Sequence, residues 1–511
     1  MRFHGESKRD RYDVAVVGSG MGGLTAAALL AQSGLDVLVV ERHDRVGGYA
    51  HAFRRGRYVF DSSVHIVGGC EPVPFEGGGM IHQLLTGLGV RDRLDFTRLD
   101  PCYAVVYPGL ELRPPCDLEE FIGVHSNAFP REAKGLREIV QECLNLRQET
   151  LRAAELGSPF DVIRTPDRFA TLLRYRRATL ADVLDDHLES PRLKAALGTL
   201  WPYLGLPPSK MSFLYFATML MSYVADGAFY CRGGFQRFAD VLAEVIRESG
   251  GEVLMRSPVR RILTEDGRAR GVVLENGQTI AADCVLSNAD ATQTVHELVG
   301  PQAFPAEYLK RLGQMKPSLS AFVVYLAADH SGIPSHSAHE TFLYPSWNHD
   351  AAYKSSRAGA PSWLSVTIPT LQDPSLAPPG EHLLLLTTLV DYDAAHWRER
   401  KDALASQMLE IADRALPGLK DQVRFLEAGT PRTMERYTRN RAGAAYGWEI
   451  TPAQVGLGRL DSQTPVQGLH LVGHWTQPGG GVYGVVSSGI HVARTVLGHS
   501  DEAQLWGSLG R

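Results

Sequence analysis

The sequence YDVAVVGSGMGG, residues 12–23, decides the fold of this chain. Its first half, residues 12–17, is an apolar strand that runs directly into a G-x-G-x-x-G loop and an alanine-rich helix. A second apolar strand, residues 35–40, follows the helix and ends at Glu41. Strand, glycine loop, helix, strand and acid, in that order within about 30 residues, predict a dinucleotide-binding fold.

Each part of this pattern has a chemical reason. Gly18 allows the tight turn after the strand, and Gly20 lets the backbone approach a pyrophosphate. Gly23 lets the helix pack against the strand, while the Glu41 carboxylate would accept the ribose hydroxyls. The pattern therefore predicts cofactor contacts from Gly18, Ser19, Gly20, Met21, Gly23 and Glu41.

Two further glycine-rich segments lie downstream. Gly47 and Gly48 follow the ribose-binding acid and allow the backbone to run close to the cofactor a second time. Near the C-terminus, residues 468–473 read as a short buried strand, which is followed by a glycine turn at 479–481 and a helix expected over about 485–497. A glycine-rich turn at a helix N-terminus is suited to anions.

Residues 12–69 resemble the FAD-binding segment of the flavoprotein superfamily that includes amine oxidases, phytoene desaturases, carotenoid isomerases and retinol saturases. In that superfamily, the extension formed here by Glu41-Arg42 and Gly47-Gly48 marks FAD rather than NAD. The resemblance implies FAD as the cofactor and adds Arg42, Gly47 and Gly48 to the residues expected to bind it.

Two distant segments resemble the same superfamily. Residues 233–290, which end in Leu-Ser-Asn-Ala-Asp, are similar to its middle FAD segment, and the resemblance implies a backbone contact from Val259 to the adenine end. At the C-terminus it implies that Gly473 lies near the pyrophosphate and that the turn carrying Gly481 and Val482 meets the flavin ring.

Within the superfamily, residues 60–69, 430–438 and 443–447 look most like the retinol saturase and carotenoid isomerase branch. Amine oxidases commonly place an arginine directly after the glycine pair, whereas Tyr49 stands there in this chain. The resemblance implies a hydrophobic polyene or another isoprenoid or lipid-like substrate.

The direction of the reaction stays open at the level of sequence, because desaturation, saturation and cis–trans isomerisation all suit one flavin scaffold. No second nucleotide-binding fingerprint occurs in residues 290–465. We therefore expect an external electron acceptor or donor.

Histidines are the natural candidates for acid and base roles, because their unperturbed pKa lies near neutrality. His65 and His474 lie in segments expected at the flavin, and Tyr446 is expected to line the cavity. These three are the predicted catalytic residues. If a hydride leaves an allylic C–H bond directly, no side-chain base is obligatory.

Two other functions are compatible with the sequence. An amine or amino-acid oxidase on the same fold would need a polar cavity and reactivity with oxygen. A flavin-binding escort protein would cradle prenyl groups without catalysis, although no partner-binding motif is evident in the chain.

Composition narrows the class of protein. The 511 residues are 44% hydrophobic, which is ample for two or three cores. Lys and Arg number 52 against 57 Asp and Glu, so the formal net charge is −5 and no basic field predicts binding to nucleic acid. Six cysteines without a C-x-x-C pair predict neither a metal site nor a disulfide framework, which is typical of reducing cytoplasm.

The chain contains no segment that reads as a signal or a membrane span. Residues 1–10 lack an apolar core. The most apolar stretch elsewhere, residues 211–224, is shorter than the about 20 residues that a bilayer requires and is expected to be a buried helix. We expect a cytoplasmic protein, and a lipid-like substrate would suit peripheral contact with a membrane.

The expected fold class is α/β: a Rossmann-like FAD-binding domain of the glutathione reductase type with an inserted α+β substrate domain. The FAD-binding domain is predicted to be discontinuous, and the substrate domain to combine a helical segment with an antiparallel sheet. The predicted limits are 1–75, 228–295 and 430–511 for the first and 76–227 and 296–429 for the second.

Overall fold

A computed structural model describes residues 5–73, 79–156, 160–329, 333–334, 336–392 and 397–509. The strands are β1 (Arg11–Val17), β2 (Val37–Val40), β3 (Ala52–Arg55), β4 (Tyr58–Asp61), β5 (Val67–Gly68), β6 (Phe96–Arg98), β7 (Ala104–Tyr107), β8 (Leu110–Leu112), β9 (Ala228–Cys231), β10 (Glu252–Leu254), β11 (Val259–Glu265), β12 (Arg268–Leu274), β13 (Thr279–Ser287), β14 (Ser320–Asp329), β15 (Glu340–Leu343), β16 (Leu364–Thr367), β17 (Glu381–Val390), β18 (Val423–Gly429) and β19 (Leu469–Leu471).

The helices of the described residues include an uninterrupted run between β8 and β9. They are α1 (Met21–Gln32), α2 (Met80–Gly87), α3 (Leu118–Ala128), α4 (Ala133–Glu155), α5 (Phe160–Arg164), α6 (Ala170–Tyr175), α7 (Leu180–His187), α8 (Pro191–Leu197), α9 (Phe213–Val224), α10 (Phe235–Glu248), α11 (Ala291–Gln293), α12 (Ala306–Gln314), α13 (His349–Arg357), α14 (Trp397–Ala415), α15 (Leu419–Gln422), α16 (Pro431–Thr438), α17 (Val482–Leu497) and α18 (Glu502–Ser508).

The first sheet has the order β10-β2-β1-β13-β12-β11, with β19 beside β13. Its central strand β1 is parallel to both neighbours, and Val17 lies opposite Val40 of β2 and Ser287 of β13. Strands β1 and β2 are almost continuous runs of buried Val, Leu and Ala, as expected for parallel strands that are covered on both faces. The predicted α/β class with a Rossmann-like domain is confirmed.

The parallel strands bring the glycine segments together. The carboxyl ends of parallel strands meet at one edge of a sheet, where ligands bind in α/β folds. Gly18 follows β1, Glu41 follows β2, Asn288 follows β13 and Gly473 lies two residues after β19. Residues from the beginning, the middle and the end of the chain therefore share one edge.

Helices α1 and α17 cross closely over this sheet. A Cβ atom built on Gly489 of α17 would lie 2.7 Å from the carbonyl oxygen of Gly22 and 2.7 Å from Cβ of Thr25, both on α1. Real Cβ atoms do not approach that closely, so the crossing requires glycine at this position. The two helices that begin at the cofactor edge are thus packed directly against each other.

The last of these helices begins earlier than the sequence indicated. α17 starts at Val482, whereas the sequence placed its start at about residue 485. Gly484 lies in the first turn, and glycine is the weakest helix former except proline. This residue made the first turn of the helix look like a continuation of the loop.

The second sheet has the order β18-β14-β17-β16-β15-β7-β8. Its two longest strands, β14 and β17, are antiparallel over ten residues, from Ser320 opposite Val390 to Asp329 opposite Glu381. Strand β15 begins with Glu340, which is paired with Thr367 of β16. An acid therefore stands at the start of an otherwise largely apolar strand.

Helices α3 to α9 follow one another in the chain between β8 and β9. Within the apolar segment 211–224, residues 213–224 form α9, and most of them are buried. Among the helices that the structure describes, none combines the length and the apolar character that crossing a bilayer requires. The predicted domain limits stay a prediction, and the limit at 75/76 lies outside the described residues.

Candidate functional site

A cavity of about 360 Å³ runs along the cofactor edge of the first sheet. Most of the residues predicted to bind the cofactor line it: Gly18, Ser19, Gly20, Met21, Glu41, Arg42, Gly47, Gly48, Val259, Gly481 and Val482. Of the predicted catalytic residues, Tyr446 and His474 also line it. The structure thus brings together segments that the sequence separates by several hundred residues.

The glycine loop forms a cradle that a side chain would fill. Gly18 has a φ of +93°, in the left-handed region that favours glycine. A Cβ atom on Gly23 would lie 2.6 Å from the Gly18 carbonyl oxygen, so this glycine is required where α1 meets the turn. Gly23 therefore acts behind the cavity, as a packing residue.

Asn288 lies between the first and the last glycine segments. A Cβ atom on Gly20 would come within 2.5 Å of its Nδ2, and one on Gly473 would come within 2.5 Å of its Oδ1. Sequence analysis did not single out Asn288, although it lines the cavity. Its position directly after β13, beside the ends of β1 and β19, explains its place and was visible only once the strand order was known.

The second glycine pair rests on the first loop. The amide of Gly47 donates a 2.8 Å hydrogen bond to the carbonyl of Ser19, and Gly47 has a φ of +114°. A Cβ atom on Gly48 would lie 3.1 Å from Cα of Gly20. Gly47 and Gly48 therefore form a second part of the cavity wall in which only backbone atoms face the cavity.

Glu41 joins the loop to the second strand. Its Oε2 accepts hydrogen bonds from the amide of Ser19 at 2.9 Å and from the Ser19 hydroxyl at 2.7 Å. Its Oε1 accepts a third from the amide of His43 at 2.7 Å. A carboxylate has about four acceptor positions, so Glu41 retains capacity for a ribose hydroxyl.

Arg42 is held by the end of α16. Its guanidinium donates to the carbonyls of Arg436 at 2.8 Å and Tyr437 at 3.1 Å. Cations are favourable at the C-terminus of a helix, where carbonyl groups are unpaired. Burial, followed by repulsion from Arg439, lowers the pKa of Arg42. The predicted contact of Arg42 with the cofactor stays a prediction.

Three aromatic residues, Tyr49, Tyr446 and His474, also line the cavity. Tyr49 donates to the carbonyl of Ala444 at 3.0 Å, and its ring lies 6.3 Å from that of His474. Tyr446 donates to the carbonyl of Pro202 at 2.7 Å, and burial raises its pKa. Both phenols therefore stay protonated at neutral pH.

His474 is also uncharged. Burial, and then the charge of Arg459, lower the pKa of His474 to about 3. The Arg459 guanidinium is fully buried and donates to the carbonyls of His474 at 2.6 Å and Thr476 at 2.9 Å. His474 is therefore neutral at physiological pH.

His65, the third predicted catalytic residue, follows Ser63 and Val64 in the chain, but unlike them it is not among the residues that line the cavity. Its Nδ1 is 2.8 Å from the Ser63 carbonyl, and its Nε2 is 3.2 Å from Oε2 of Glu340. Burial opposes a charge on the ring, but the carboxylate of Glu340 outweighs it, and the pKa of His65 is raised above 6.5. The two predicted catalytic histidines thus have opposite electrostatic surroundings.

Glu340, which belongs to the second sheet, was not among the predicted site residues. The one available signal was an acid directly before the apolar stretch Thr341-Phe342-Leu343. The contact of Glu340 with His65 depends on how β15 packs against the segment between β4 and β5, which no local pattern reports.

The geometry of the cavity meets the requirements of FAD. It is lined by a glycine loop after β1, an acid after β2, a second bare-backbone wall, and the N-terminal turn of α17 with Gly481 at a φ of +79°. Helix N-termini favour phosphate groups, and long stretches of glycine backbone allow close approach. The neutral aromatic part suits a flat, uncharged ring.

Comparisons with known proteins agree with this geometry. The family model described as "flavin containing amine oxidoreductase" matches residues 21–497. The chain is 28% identical to prolycopene isomerase 1, chloroplastic, of an Oncidium hybrid cultivar, over 95% of this chain and 84% of that protein. It is also 28% identical to all-trans-retinol 13,14-reductase of Danio rerio, over 90% of this chain and 82% of that protein.

Among solved structures, an oxidoreductase from Methanosarcina mazei superposes with a TM-score of 0.65 at 20% identity. The superposition covers 94% of this chain and 99% of that one. At this level of identity the likeness shows a shared fold.

Proposed function

The chain belongs to the family of flavin-containing amine oxidoreductases, and from that premise we propose that it converts a hydrophobic polyene or isoprenoid lipid at the flavin. It is an FAD-dependent oxidoreductase. The observation that carries the substrate class is similarity over nine-tenths of the chain to two proteins named for prolycopene and all-trans-retinol, both conjugated polyenes.

The chain's own residues would hold FAD in a fixed order along the cavity. Gly18 and Gly20, at the start of α1, would face the pyrophosphate, and Glu41 would accept from the ribose. Val259 would meet the adenine end, and Val482, at the start of α17, the flavin end. FAD supplies the hydride acceptor or donor when it is bound.

The lining at the predicted flavin end supports an uncharged substrate. Tyr49, Tyr446 and His474 are neutral, and their polar atoms or backbone are tied to internal partners. These three side chains offer no counter-charge to an ammonium ion, whose removal from water costs several kcal/mol. An apolar polyene loses nothing there and buries its surface.

We further propose that electrons are exchanged with an external acceptor or donor. In support, most of the residues predicted to bind FAD line one edge of the first sheet, and no second nucleotide-binding fingerprint occurs in residues 290–465. Peripheral membrane contact and the domain limits likewise stay predictions.

The proposal is tested by anaerobic incubation of the FAD-loaded protein, both oxidised and chemically reduced, with all-trans-retinol and with lycopene isomers. Mass spectrometry and isomer analysis would report the products. A gain or loss of two hydrogens identifies saturation or desaturation, and an altered isomer of equal mass identifies isomerisation. Hydrogen peroxide release with amines, combined with no change in any polyene, would contradict the proposal and favour an amine oxidase.

A further inference from the structure

Arg459 carries a charge in the interior of the protein, directly behind the wall of the FAD cavity. Its side chain is fully buried, and Nη2 donates at 2.6 Å to the carbonyl of His474, a residue that lines the cavity. Nε donates to the carbonyl of Thr476 at 2.9 Å, and Nη1 donates to that of Gln454 at 3.2 Å. One backbone carbonyl therefore separates the guanidinium from a residue of the cavity wall.

No acidic side chain neutralises this guanidinium. Among the residues that the structure describes, Arg459 forms no ion pair with Asp or Glu. The buried guanidinium of Arg147, by contrast, is paired with the Asp226 carboxylate. Burying a cation is costly unless an acid accompanies it, and neutral amides could satisfy the same carbonyls at a lower cost. The hydrogen bonds alone therefore do not account for a charge at this position.

Arg459 keeps its proton despite burial. Burial lowers its pKa to about 10, which is still well above neutrality. Among the described residues, the titratable side chains that interact with it are Tyr215 and His474. Burial raises the pKa of Tyr215 to about 12 and lowers that of His474 to about 3, so both are neutral. The site therefore holds one positive charge at neutral pH.

Tyr215 connects the surroundings of this charge to the turn at the start of α17. Its hydroxyl donates to the carbonyl of Gly480 at 2.6 Å. A Cβ atom on Gly484 would lie 2.7 Å from the same hydroxyl, so the turn is packed tightly against it. The turn continues into Gly481 and Val482, which line the cavity and are predicted to meet the flavin ring. The buried charge therefore adjoins two parts of the predicted flavin end.

We infer that the unpaired charge of Arg459 stabilises reduced FAD and so raises the reduction potential of the bound cofactor. The inference rests on the proposed position of the flavin ring beside Val482 and deepens the proposed function. Reduction adds two electrons and one proton to FAD, and the ring then carries one negative charge at neutral pH. A cation behind the wall of a low-dielectric site lowers the free energy of this form relative to the neutral, oxidised ring.

A raised potential affects the direction of the chemistry. It favours removal of a hydride from a C–H bond of the substrate, because the two electrons enter a more stable reduced form. That form persists until an external acceptor takes up the electrons. Arg459 itself gives up no proton and forms no bond in this step.

The wild type provides the first test. Reduction by xanthine and xanthine oxidase in the presence of a reference dye would give the midpoint potential of the bound FAD, with free FAD measured under the same conditions. We expect the bound FAD to have the higher potential, and its reduced form to stay anionic, as judged by absorbance, at a lower pH than free reduced FAD. A potential at or below that of free FAD would overturn the inference, whether or not any variant folds.

Substitution of Arg459 provides the second test. Arg459→Met removes the charge and should shift the equilibrium between the two forms by about tenfold or more toward oxidised FAD, which is about 30 mV for two electrons. Arg459→Lys keeps a charge but not all three hydrogen bonds, so it should shift the potential less. Equal shifts in these two variants would show that the hydrogen bonds matter rather than the charge, and would overturn the inference.

The matched control is Arg311→Met. Arg311 is an exposed cation of α12 that donates to the carbonyls of Leu457 at 2.7 Å and Arg459 at 2.8 Å. Its loss removes a charge from the same segment outside the interior and should leave the potential unchanged. A shift as large as that of Arg459→Met would contradict a role for the buried charge. These measurements use no polyene, so failure to convert any polyene would refute the proposed function and leave this inference standing.

Discussion

Glu41 holds the glycine loop with three hydrogen bonds, and its charge makes each of them stronger than a neutral bond. Glu41→Gln replaces an acceptor oxygen with an NH₂ group, so a donor would face either the Ser19 or the His43 amide. Hydrogen bonds to charged groups are worth about 1.5–3 kcal/mol each. We expect FAD affinity to fall by about 10-fold to 100-fold.

Titration of the apoprotein with FAD, followed by calorimetry, measures this change. Glu265→Gln, on the exposed end of β11 with a side chain 70% accessible, is the matched control and should bind FAD as the wild type does. Equal affinities of Glu41→Gln and the control would show that the loop does not depend on this carboxylate.

The His65–Glu340 pair predicts a pH window of stability. The pKa of His65 is raised above 6.5, so its contribution is complete below pH 6.5 and is lost as pH rises through the folded value. The pKa of Glu340 is lowered below 4.5, because His65 and hydrogen bonds outweigh its burial, so its contribution is complete above pH 4.5 and is lost as pH falls through the folded value. The pair should stabilise most between pH 4.5 and 6.5.

Urea unfolding of the wild type and Glu340→Gln over a pH series measures this contribution. The difference in the free energy of unfolding should be greatest inside the window and should shrink on both sides of it. Asp61, whose pKa is raised by burial to about 6, is present in both proteins, so its own titration largely cancels. A difference that is constant with pH would show that the pair is not ionised.

At the scale of elements, the crossing of α1 and α17 affects the cavity, because both helices begin with residues that line it, Met21 and Val482. Gly489→Ala would place a methyl group 2.7 Å from the Gly22 carbonyl oxygen. Overpacking of this kind typically costs about 1–3 kcal/mol. We expect thermal unfolding at a lower temperature and weaker binding of FAD, because displacement of α17 moves Val482 in the cavity wall.

The control for this prediction is Gly507→Ala in α18. A Cβ atom there meets no heavy atom within 4 Å, and the residue has no left-handed conformation. This variant should equal or slightly exceed the wild type in stability, since alanine is the better helix former. Equal stability of both variants would refute the tight crossing.

Elements with local signals could be predicted from the sequence. The glycine loop, both of its strands and α1 follow from short apolar runs and glycine spacing, and the structure places them where expected. Asn288 and Glu340 could not be predicted as site residues, because Asn288 owes its place to strand order and Glu340 to packing between segments far apart in the chain. The start of α17 was misplaced by three residues because Gly484 weakened its helical pattern.

At the scale of the whole molecule, FAD should act as a structural component. Its cavity is lined by residues between Val17 and Val485, so bound FAD would bridge the beginning and the end of the chain. A ligand at 100 times its Kd stabilises a protein by about 2.7 kcal/mol. We expect removal of FAD to lower Tm and readdition to restore it.

Differential scanning calorimetry at several FAD concentrations tests this prediction. Tm should rise with the logarithm of FAD concentration, whereas riboflavin, which lacks the phosphates and adenosine held by the glycine loop, should have little effect. A Tm that is independent of FAD concentration would show that FAD does not bind the folded protein in preference to the unfolded chain.

The position of Val482 so late in the chain has a consequence for biosynthesis. A ribosome that adds 5–20 residues per second delivers Gly18 roughly 25 to 90 seconds before Val482. During that interval the nascent polypeptide contains the glycine loop at Gly18 but not yet the turn at Val482, which also lines the cavity. The whole stretch from Gly18 to Val482 must therefore be synthesised before both of these parts of the cavity wall exist.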